Sequence, residues 1–300
     1  MSTFNGEKYI IDQINSIFAQ KDVDVALYIR DDGSTDKTVE SIQKLKDRRI
    51  VLNVEKNVGY IKSFMQLVAT APDGYDFYAF SDQDDVWKPD KLSNAVEVLS
   101  RKATPFLYCA APEYVDAQLR PSQAYHSVLD DIPEGLVSAK YALSLGLLGL
   151  GCTMVWNPAL QKILKKADYS SFSFGHDNLL SVTAAMVGDV FRDGRKVILY
   201  RQHNANASSS QSKQKKQSLH QILAAKYRNM TNMNDYYLRK FVYDNFQDNM
   251  CDEKKTLLEK TVTYRGSILR RVKLIRENLC AERSFSVKVK HGIMVLIGKY

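Results

Sequence analysis

Short apolar runs alternate with helically spaced segments over the first 111 residues, and this alternation restricts the fold more than any other feature. Four runs predict buried strands because they are apolar on both faces. They are VALYI at 25–29, IVLNVE at 50–55, YDFYAF at 75–80 and FLYCAA at 106–111. Helices are predicted over 7–19, 35–45 and 60–70 and onward from Pro89. This order builds an α/β sandwich with a mostly parallel central sheet covered by helices.

Local signals mark two helix starts and one incomplete strand. Ser34 can cap the helix that follows it, and Pro89 suits the first turn of a later helix. The chain opens with MSTFNG, a strand end and a turn with almost no strand before it. A doubly wound sheet ordinarily has a full first strand at that point, so we expect the first strand to be truncated.

Charge divides the chain into two regions. Residues 212–300 carry 19 Lys and Arg against 8 Asp and Glu, whereas residues 1–211 carry 23 against 26, which gives the net charge of +8. This asymmetry predicts regions with different tasks. We expect an α/β domain at 1–207, a polar linker or loop at 208–218, and a helical basic region at 219–300.

No apolar run reaches the roughly 20 residues that are needed to span a bilayer. Met1 leads directly into a polar turn, so no signal peptide is expected. The four cysteines are scattered without a CxxC pair, which suggests neither a zinc ribbon nor a disulfide framework. These features favour a cytoplasmic protein.

Carboxylates crowd the end of the strand at 75–80. Asp82, Asp84 and Asp85 follow within a few positions, and like charges this close repel one another. The DxD arrangement of Asp82 and Asp84 can hold Mg²⁺ or Mn²⁺, because hard cations prefer carboxylate oxygen. The alternative is a solvated acidic turn that leads into the next helix.

A second acidic pair, Asp31 and Asp32, ends the strand at 25–29. Ligands of such sheets bind beyond the carboxyl ends of the strands, so both acidic clusters should face one crevice. A carboxylate only accepts hydrogen bonds, and it can therefore accept from the N3–H of uracil or thymine. Phe4 can stack on the same base. The alternative is an ordinary turn, for which DDGS is also suitable.

Four motifs, in this order, resemble those of family 2 glycosyltransferases with the GT-A fold. They are STFNGEKYI at 2–10, IRDDGSTDKT at 29–38, NVGYIKSF at 57–64 and FSDQDDVWKPDKL at 80–92. The likeness continues in GLGCTMVWN at 149–157, FGHDNLL at 174–180 and YRQHNAN at 200–206. It is strong over residues 1–206 and weak beyond, and it is greatest to the bacterial rhamnosyltransferase-like members that build capsule or O-antigen.

The resemblance implies a role for each candidate site residue. The candidates are Ser2, Phe4, Asp32 and Asp82 for the nucleotide sugar, Asp84, Asp82 and His203 for the metal, Asp177 as the catalytic base, and Gly151 and His176 for the acceptor. Family members often show HDWW where this chain has HDNL. This difference keeps Asp177, the residue that matches the catalytic base. It leaves the residues that line the acceptor pocket unassigned.

Several of these residues also have plain structural interpretations. Asp177 can cap a helix that starts at Asn178, which is what the residues alone favour. A lone histidine such as His203 is more often structural than a ligand. Gly149 and Gly151 either let a backbone approach the acceptor or form a tight turn.

The resemblance implies an inverting, metal-dependent glycosyltransferase that uses a dTDP- or UDP-sugar, with rhamnose as the candidate sugar. The acceptor would be a glycan or lipid-linked glycan of a surface polysaccharide, and the basic region would dock at the inner face of the cell membrane. One alternative is a nucleic-acid-binding protein, although no reader motif is present and no nucleic acid is expected. The other is a domain that binds a nucleotide sugar without turnover.

Overall fold

The structure, a computed structural model, describes residues 1–122, 129, 131–203, 234–281, 285–298 and 300. The predicted linker at 208–218 and the helical pattern that follows it, up to Met230, lie outside these residues.

Strands and helices alternate through the first hundred residues, as the sequence predicts. The elements are β1 Ser2–Thr3, α1 Ile10–Phe18, β2 Leu27–Asp31, α2 Thr38–Lys44, β3 Ile50–Val54, α3 Tyr60–Thr70, β4 Tyr78–Ala79, β5 Val86–Trp87 and α4 Lys91–Leu99. The α/β prediction is confirmed by this order.

A longer strand and several helices complete the fold. They are β6 Phe106–Val115, β7 Gly135–Leu136, α5 Ala139–Leu145, β8 Met154–Trp156, α6 Pro158–Leu164, α7 His176–Val187, β9 Asp189–Arg201, α8 Asn234–Phe246, α9 Asp252–Thr263, α10 Ile268–Arg276 and α11 Phe285–Leu296. The described part of the basic region is therefore helical, as predicted.

The strands form two sheets. Strands β1, β2 and β3 lie in that order and are parallel throughout. The second sheet has the order β4-β8-β6-β9-β5, with β7 paired to β9. Its long central strands β6 and β9 are parallel, whereas β4, β5, β7 and β8 pair antiparallel. The sequence pattern did not distinguish these antiparallel pairs.

Two predicted helix starts are wrong by a few residues. The Ser34 hydroxyl donates to Asp31 instead of capping a helix, and α2 begins only at Thr38, whose N–H donates to Asp36. Pro89 lies before the helix, since α4 starts at Lys91. In both places the chain completes a turn at the carboxyl end of a strand before it becomes helical.

Two hydrophobic clusters fill the space around the sheets. One lies around Ile14, Ile29 and Tyr108, and the other contains α7 residues such as Leu179 and Leu180. The second cluster also takes in buried residues of the C-terminal helices, including Leu238, Val242, Phe246, Leu257, Leu258, Leu274 and Val295. The basic region therefore shares a core with the α/β domain.

The turn from α7 into β9 leaves no room for a side chain. A Cβ atom at Gly188 would lie 1.9 Å from the Pro105 carbonyl oxygen. That oxygen accepts the Asp189 N–H at 3.0 Å, which starts the pairing of β9 with β6. We expect Gly188→Ala to lower the free energy of unfolding by about 2–3 kcal/mol or more, measured by urea denaturation.

Gly292→Ala is the matched control for this change. Gly292 lies inside α11, and a Cβ there meets nothing within 4 Å. Alanine should therefore raise the free energy of unfolding by about 0.5–1 kcal/mol. Small effects of the same size in both variants would contradict the close approach of the α7–β9 turn to β6.

Candidate active site

The acidic loop, residues 81–85, follows β4 and is held against the turn that follows β1. The Gln83 side chain accepts the Phe4 N–H at 2.9 Å and donates to the Phe4 carbonyl oxygen at 3.0 Å. A Cβ atom at Gly6 would lie 2.3 Å from Gln83 Oε1, so the contact needs glycine there. Because Thr3 also bonds the Asp31 carboxylate, both acidic clusters lie at one edge of the fold.

Asp82, Asp84 and Asp177 share one electrostatic environment, although they are far apart in sequence. Burial, followed by the charges of Asp84 and Asp177, raises the pKa of Asp82 to about 7. The Asp177 charge also raises the pKa of Tyr60, which is raised mainly by burial. The structure thus brings the predicted DxD pair and the predicted base to the same place.

The end of β9 fixes the second carboxylate of the DxD pair. His203 Nε2 lies 2.7 Å from Asp84 Oδ2. Arg201 donates its Nε–H to the Asp84 carbonyl oxygen at 2.8 Å and its backbone N–H to Asp85 Oδ1 at 3.1 Å. The Tyr9 ring packs against His203 with centroids 4.9 Å apart. His203 therefore lies in the acidic site, as its motif predicts.

Behind the loop, Asp85, Cys152 and Lys91 form a buried group. All three are fully buried, and the pKa values of Asp85 and Cys152 are raised well above their ordinary values by burial. Lys91 Nζ lies 3.4 Å from the Trp87 ring centroid and has no hydrogen-bond partner among the described residues. Burial lowers the pKa of Lys91 to about 7, against the opposing effect of Cys152 and Asp85.

The donor set at the acidic loop suits a divalent cation. Among the described residues, ligand atoms of Asp82, Asp85 and Cys152 lie within 4.8 Å of one another. This group shares Asp82 with the predicted metal set, but it contains neither Asp84 nor His203. Asp85 Oδ2 is buried, and its neighbour is the Cys152 thiol instead of an N–H or O–H donor. Carboxylate oxygens are the ligands that Mg²⁺ and Mn²⁺ prefer. A cation at this loop would offset the charges of Asp84 and Asp177, which add to the effect of burial in raising the pKa of Asp82.

Asp177 lies in the first turn of α7, which begins at His176. Its carboxylate accepts the Asn178 N–H at 2.9 Å. The alternative in which Asp177 caps a helix starting at Asn178 is therefore wrong in its position, since the helix begins before Asp177. The half-buried carboxylate is fixed by the start of the helix while it remains close to Asp82.

His176 fills an aromatic niche beside Asp177. Its ring stacks on Phe64 at a centroid distance of 4.1 Å and meets Phe80 edge-on at 5.0 Å. A Cβ atom at Gly151 would lie 2.5 Å from His176 Nε2, so only glycine fits. Neither ring nitrogen has a hydrogen-bond partner among the described residues, and burial lowers the pKa of His176. The structure therefore joins Gly151 and His176.

The predicted base-binding residues lie on β1, in the turn after it, and directly after β2. Phe4 is 45% exposed. The Ser2 hydroxyl donates to Ser63 Oγ at 2.6 Å. Asp32 is buried, and its carboxylate accepts from Arg30 Nη1 at 2.5 Å and from the Val58 and Gly59 N–H groups at 2.8 Å. Asp32 thus fastens the turn before α3 to the end of β2.

Gln83, Lys91 and Cys152 have structural roles that are not predictable from the sequence. Gln83 and Lys91 stand in the quoted motif FSDQDDVWKPDKL, and Cys152 stands in GLGCTMVWN. The motif positions were a signal that these residues lie near the site. Their particular roles depend on contacts between the β4–β5 loop, α4 and the segment before β8, which no local pattern reveals.

The fold is that of GT-A enzymes. The structure matches residues 1–349 of TarS from Staphylococcus aureus, in complex with UDP-GlcNAc, with a TM-score of 0.60 and 16% identity, covering 98% of this chain and 78% of TarS. A second TarS structure of the same residues gives a TM-score of 0.58 and 14% identity, with 98% and 79% covered. At such identity the likeness supports the fold alone, and it confirms the GT-A prediction.

Sequence relatives are glycosyltransferases. The dTDP-rhamnosyl transferase RfbG of Shigella flexneri is 40% identical over 105 residues, 33% of this chain and 36% of that protein. The UDP-Glc:alpha-D-GlcNAc-diphosphoundecaprenol beta-1,3-glucosyltransferase WfaP of Escherichia coli is 28% identical over 111 residues, 36% of this chain and 43% of that protein. The Glycosyl transferase family 2 profile matches residues 1–164, more than half of the chain. The chain spans about a third of the length of the first of these relatives, and it belongs to glycosyl transferase family 2.

Proposed function

We propose that the protein is an inverting, metal-dependent glycosyltransferase that moves a sugar from a dTDP- or UDP-sugar to a surface-polysaccharide acceptor. The observation that supports this best is the convergence of Asp82, Asp84 and Asp177 at one edge of the fold. The similarity to the rhamnosyl transferase of Shigella favours rhamnose as the sugar.

An inverting transfer is a single in-line displacement at the anomeric carbon. The acceptor hydroxyl attacks, its proton passes to Asp177, and the nucleoside diphosphate leaves with the bonding electrons. Among the described residues, the hydrogen bond to the Asp177 carboxylate comes from the Asn178 N–H at Oδ1, so Oδ2 would take that proton. No second nucleophile is needed, in contrast to retaining enzymes with paired carboxylates.

Mg²⁺ or Mn²⁺ at the acidic loop would stabilise the charge that develops on the leaving diphosphate. Asp82 and Asp84 would hold the cation, and His203 keeps Asp84 in position through the contact between Nε2 and Oδ2. Arg201 anchors the backbone of the loop, which reduces the freedom of both carboxylates.

The donor base would lie at the β1 turn and the end of β2. The exposed Phe4 ring can stack on a pyrimidine, and Ser2 borders the same place. Asp32 is 2% exposed and accepts three hydrogen bonds, two on Oδ1 and one on Oδ2, so its one remaining acceptor position would reach the N3–H of the base only after the turn before α3 shifts. Uracil and thymine present that N3–H alike.

The acceptor would enter beside α7. Gly151 and the aromatic niche of His176 lie next to Asp177, and the lowered pKa keeps His176 neutral at physiological pH. A neutral imidazole adds no positive charge that would lower the basicity of Asp177.

A panel of nucleotide sugars tests this function. The melting temperature is measured with dTDP-rhamnose, UDP-glucose, UDP-galactose and UDP-GlcNAc, with and without Mn²⁺, because a ligand that binds only the folded state raises it. We expect at least one donor to raise it in a Mn²⁺-dependent way and to release its nucleoside diphosphate when an acceptor is added. Binding without release under any acceptor would favour the non-catalytic alternative.

Asp84→Asn should abolish metal-dependent donor binding, because a neutral amide is a much poorer ligand for a hard cation. Titration of Mn²⁺ in the presence of dTDP or UDP measures the effect. Asp90→Asn is the matched control, since Asp90 is an exposed carboxylate in the same motif whose side chain makes no cap bond to α4. Unchanged Mn²⁺ dependence in the Asp84 variant would remove Asp84 from the site.

Asp177→Asn should leave donor affinity unchanged and lower the transfer rate on the order of 10²–10⁴-fold, the contribution of a positioned base. The amide oxygen can still accept the Asn178 N–H, so the start of α7 should persist. Donor titration, melting temperature and single-turnover transfer are measured together. Transfer at the normal rate in a folded variant would show that another group is the base.

We also propose that the outer face of α10 and α11 docks on the cytoplasmic face of the membrane. No helix among the described residues is long and apolar enough to cross a bilayer. Seven large apolar residues on these helices, or directly after them, are nevertheless exposed: Ile268, Leu269, Phe285, Val289, Ile293, Leu296 and Ile297. We call these seven residues the apolar face.

Cations accompany the apolar face. Exposed Arg270, Lys273, Arg276 and Lys290 lie on the same two helices. Arg271 donates to the Leu296 carbonyl oxygen at 2.6 Å, which joins α10 to α11. Each cation near an anionic leaflet contributes roughly 1 kcal/mol at best, and salt screens it. Exposed apolar and cationic side chains together suit binding at the membrane interface. The name of WfaP describes a lipid-linked acceptor for that protein. An acceptor of this kind would lie at the same surface.

Sedimentation with liposomes tests the docking. We expect salt-sensitive binding to anionic vesicles, and loss of most of that binding in Ile268→Ser/Phe285→Ser, because these side chains are 74% and 81% exposed. Leu136→Ser is the control, since Leu136 is 69% exposed on β7. Truncation is unsuitable, because α8–α11 contribute to the shared core.

Equal recovery of the wild-type chain in the supernatant with anionic and neutral vesicles at low salt would contradict docking. In that case the helices pack on the α/β domain with their cations merely solvated.

A further inference from the structure

A thiol and two carboxylates meet on the inner side of the acidic loop. The ligand atoms of Asp82, Asp85 and Cys152 lie within 4.8 Å of one another. The pairing of β4 with β8 explains part of this meeting, because Ala79 lies opposite Val155 in an antiparallel register. Asp82 comes three residues after Ala79 and Cys152 three residues before Val155, so the same register places these two side chains opposite each other. We call Asp82, Asp85 and Cys152 the inner group.

Two buried polar atoms at the inner group have no hydrogen-bond partner among the described residues. They are Asp85 Oδ2 and Lys91 Nζ, and both residues are fully buried. The other oxygen of Asp85 accepts the Arg201 N–H at 3.1 Å, which fixes the carboxylate in place. An unsatisfied buried acceptor calls for an explanation, and a bound ion is one. A cation at the inner group would give Asp85 Oδ2 the partner that the chain does not provide.

The sulfur atom selects the kind of cation. Mg²⁺ and Mn²⁺ prefer sites made of oxygen, whereas Zn²⁺ accepts thiolate together with carboxylate. Zn–S and Zn–O bonds of about 2.3 Å and 2.1 Å place sulfur and oxygen about 3.6 Å apart in a tetrahedral site, so the inner group would contract by about 1 Å at most. Three protein ligands leave the fourth position for a water molecule.

Lys91 is the cation that would oppose such an ion. Its charge is felt at the inner group, since Asp85 and Cys152 act to raise its pKa. Burial has the larger effect and lowers the pKa of Lys91 to about 7, so the ammonium group can lose its proton when a metal ion arrives. The nearby lysine is therefore compatible with a divalent cation at the inner group.

We propose that Asp82, Asp85 and Cys152 form a binding site for a thiophilic divalent cation, Zn²⁺ above all. When the cation binds, the Cys152 thiol releases its proton to solvent and the thiolate coordinates the metal. The site differs from the Mg²⁺ or Mn²⁺ position between Asp82 and Asp84, but the two share Asp82. Zn²⁺ in the inner group therefore inhibits the binding of Mn²⁺, a consequence that rests on the proposed function.

Titration of the reduced full chain with Cd²⁺ tests the site, because Cd²⁺ is a soft cation whose bond to a thiolate gives an ultraviolet charge-transfer band. We expect this band to saturate at one Cd²⁺ per chain and to disappear when Zn²⁺ is added in excess. Cys152→Ala should abolish the band. Cys251→Ala is the matched control and should keep it, since Cys251 is exposed and its side chain makes no cap bond to α9.

Asp85→Asn tests the carboxylate ligand without removing the thiol. The amide oxygen can still accept the Arg201 N–H, so the loop should keep that anchor. We expect the affinity for Cd²⁺ to fall on the order of tenfold or more, whereas Asp90→Asn should leave it unchanged. The melting temperature of every variant is measured as well, and this variant decides the question if Cys152→Ala does not fold.

Competition between the two cations is measured on the wild-type chain. Zn²⁺ should raise the concentration of Mn²⁺ that is needed for Mn²⁺-dependent binding of UDP or dTDP, because both cations need Asp82. A charge-transfer band with no effect of Zn²⁺ on that concentration would overturn the sharing of Asp82.

Three results of the Cd²⁺ titrations would overturn the site itself. They are no band in the wild-type chain, a band that persists in folded Cys152→Ala, and undiminished affinity in Asp85→Asn. These titrations contain neither Mn²⁺ nor nucleotide, so failure here is separate from failure of the proposed function.

Discussion

Repulsion among carboxylates is the constraint that the rest of the site depends on. Asp82, Asp84 and Asp177 meet at one edge of the fold, and Asp85 lies buried behind them. In a protein this costs free energy unless positive charge or hydrogen-bond donors are supplied. The fold supplies some of both through His203 and the Arg201 and Lys91 side chains, yet burial and the charges of Asp84 and Asp177 keep the pKa of Asp82 raised to about 7. A divalent cation would offset the part that the neighbouring carboxylates contribute.

The carboxylates of Asp32, Asp84 and Asp177 differ in how many hydrogen bonds hold them. Asp32 is fixed by a guanidinium and two backbone N–H groups, so it holds the turn before α3. Asp84 is held by His203, which stands at the end of the longest strand pair. Asp177 is positioned by the first turn of α7 and keeps one oxygen available. Firmly held carboxylates would lie at the nucleotide, and a carboxylate with fewer hydrogen bonds would lie at the acceptor. This arrangement suits a group transfer between the two.

The sequence predicted the α/β order because buried strands and amphipathic helices have distinct periods. It also predicted the meeting of the acidic motifs, since both follow strands at their carboxyl ends. It placed the starts of α2 and α4 too early, because Ser34 bonds Asp31 and the chain turns again after Pro89. The buried group of Lys91 and Cys152 could not be predicted, because it depends on long-range packing.

The most direct measurement is the anomalous diffraction of Mn²⁺ in crystals grown with dTDP or UDP. We expect one strong peak between the Asp82 and Asp84 carboxylates, beside His203. A bound diphosphate with no Mn²⁺ at the acidic loop, or a peak away from both carboxylates, would contradict it.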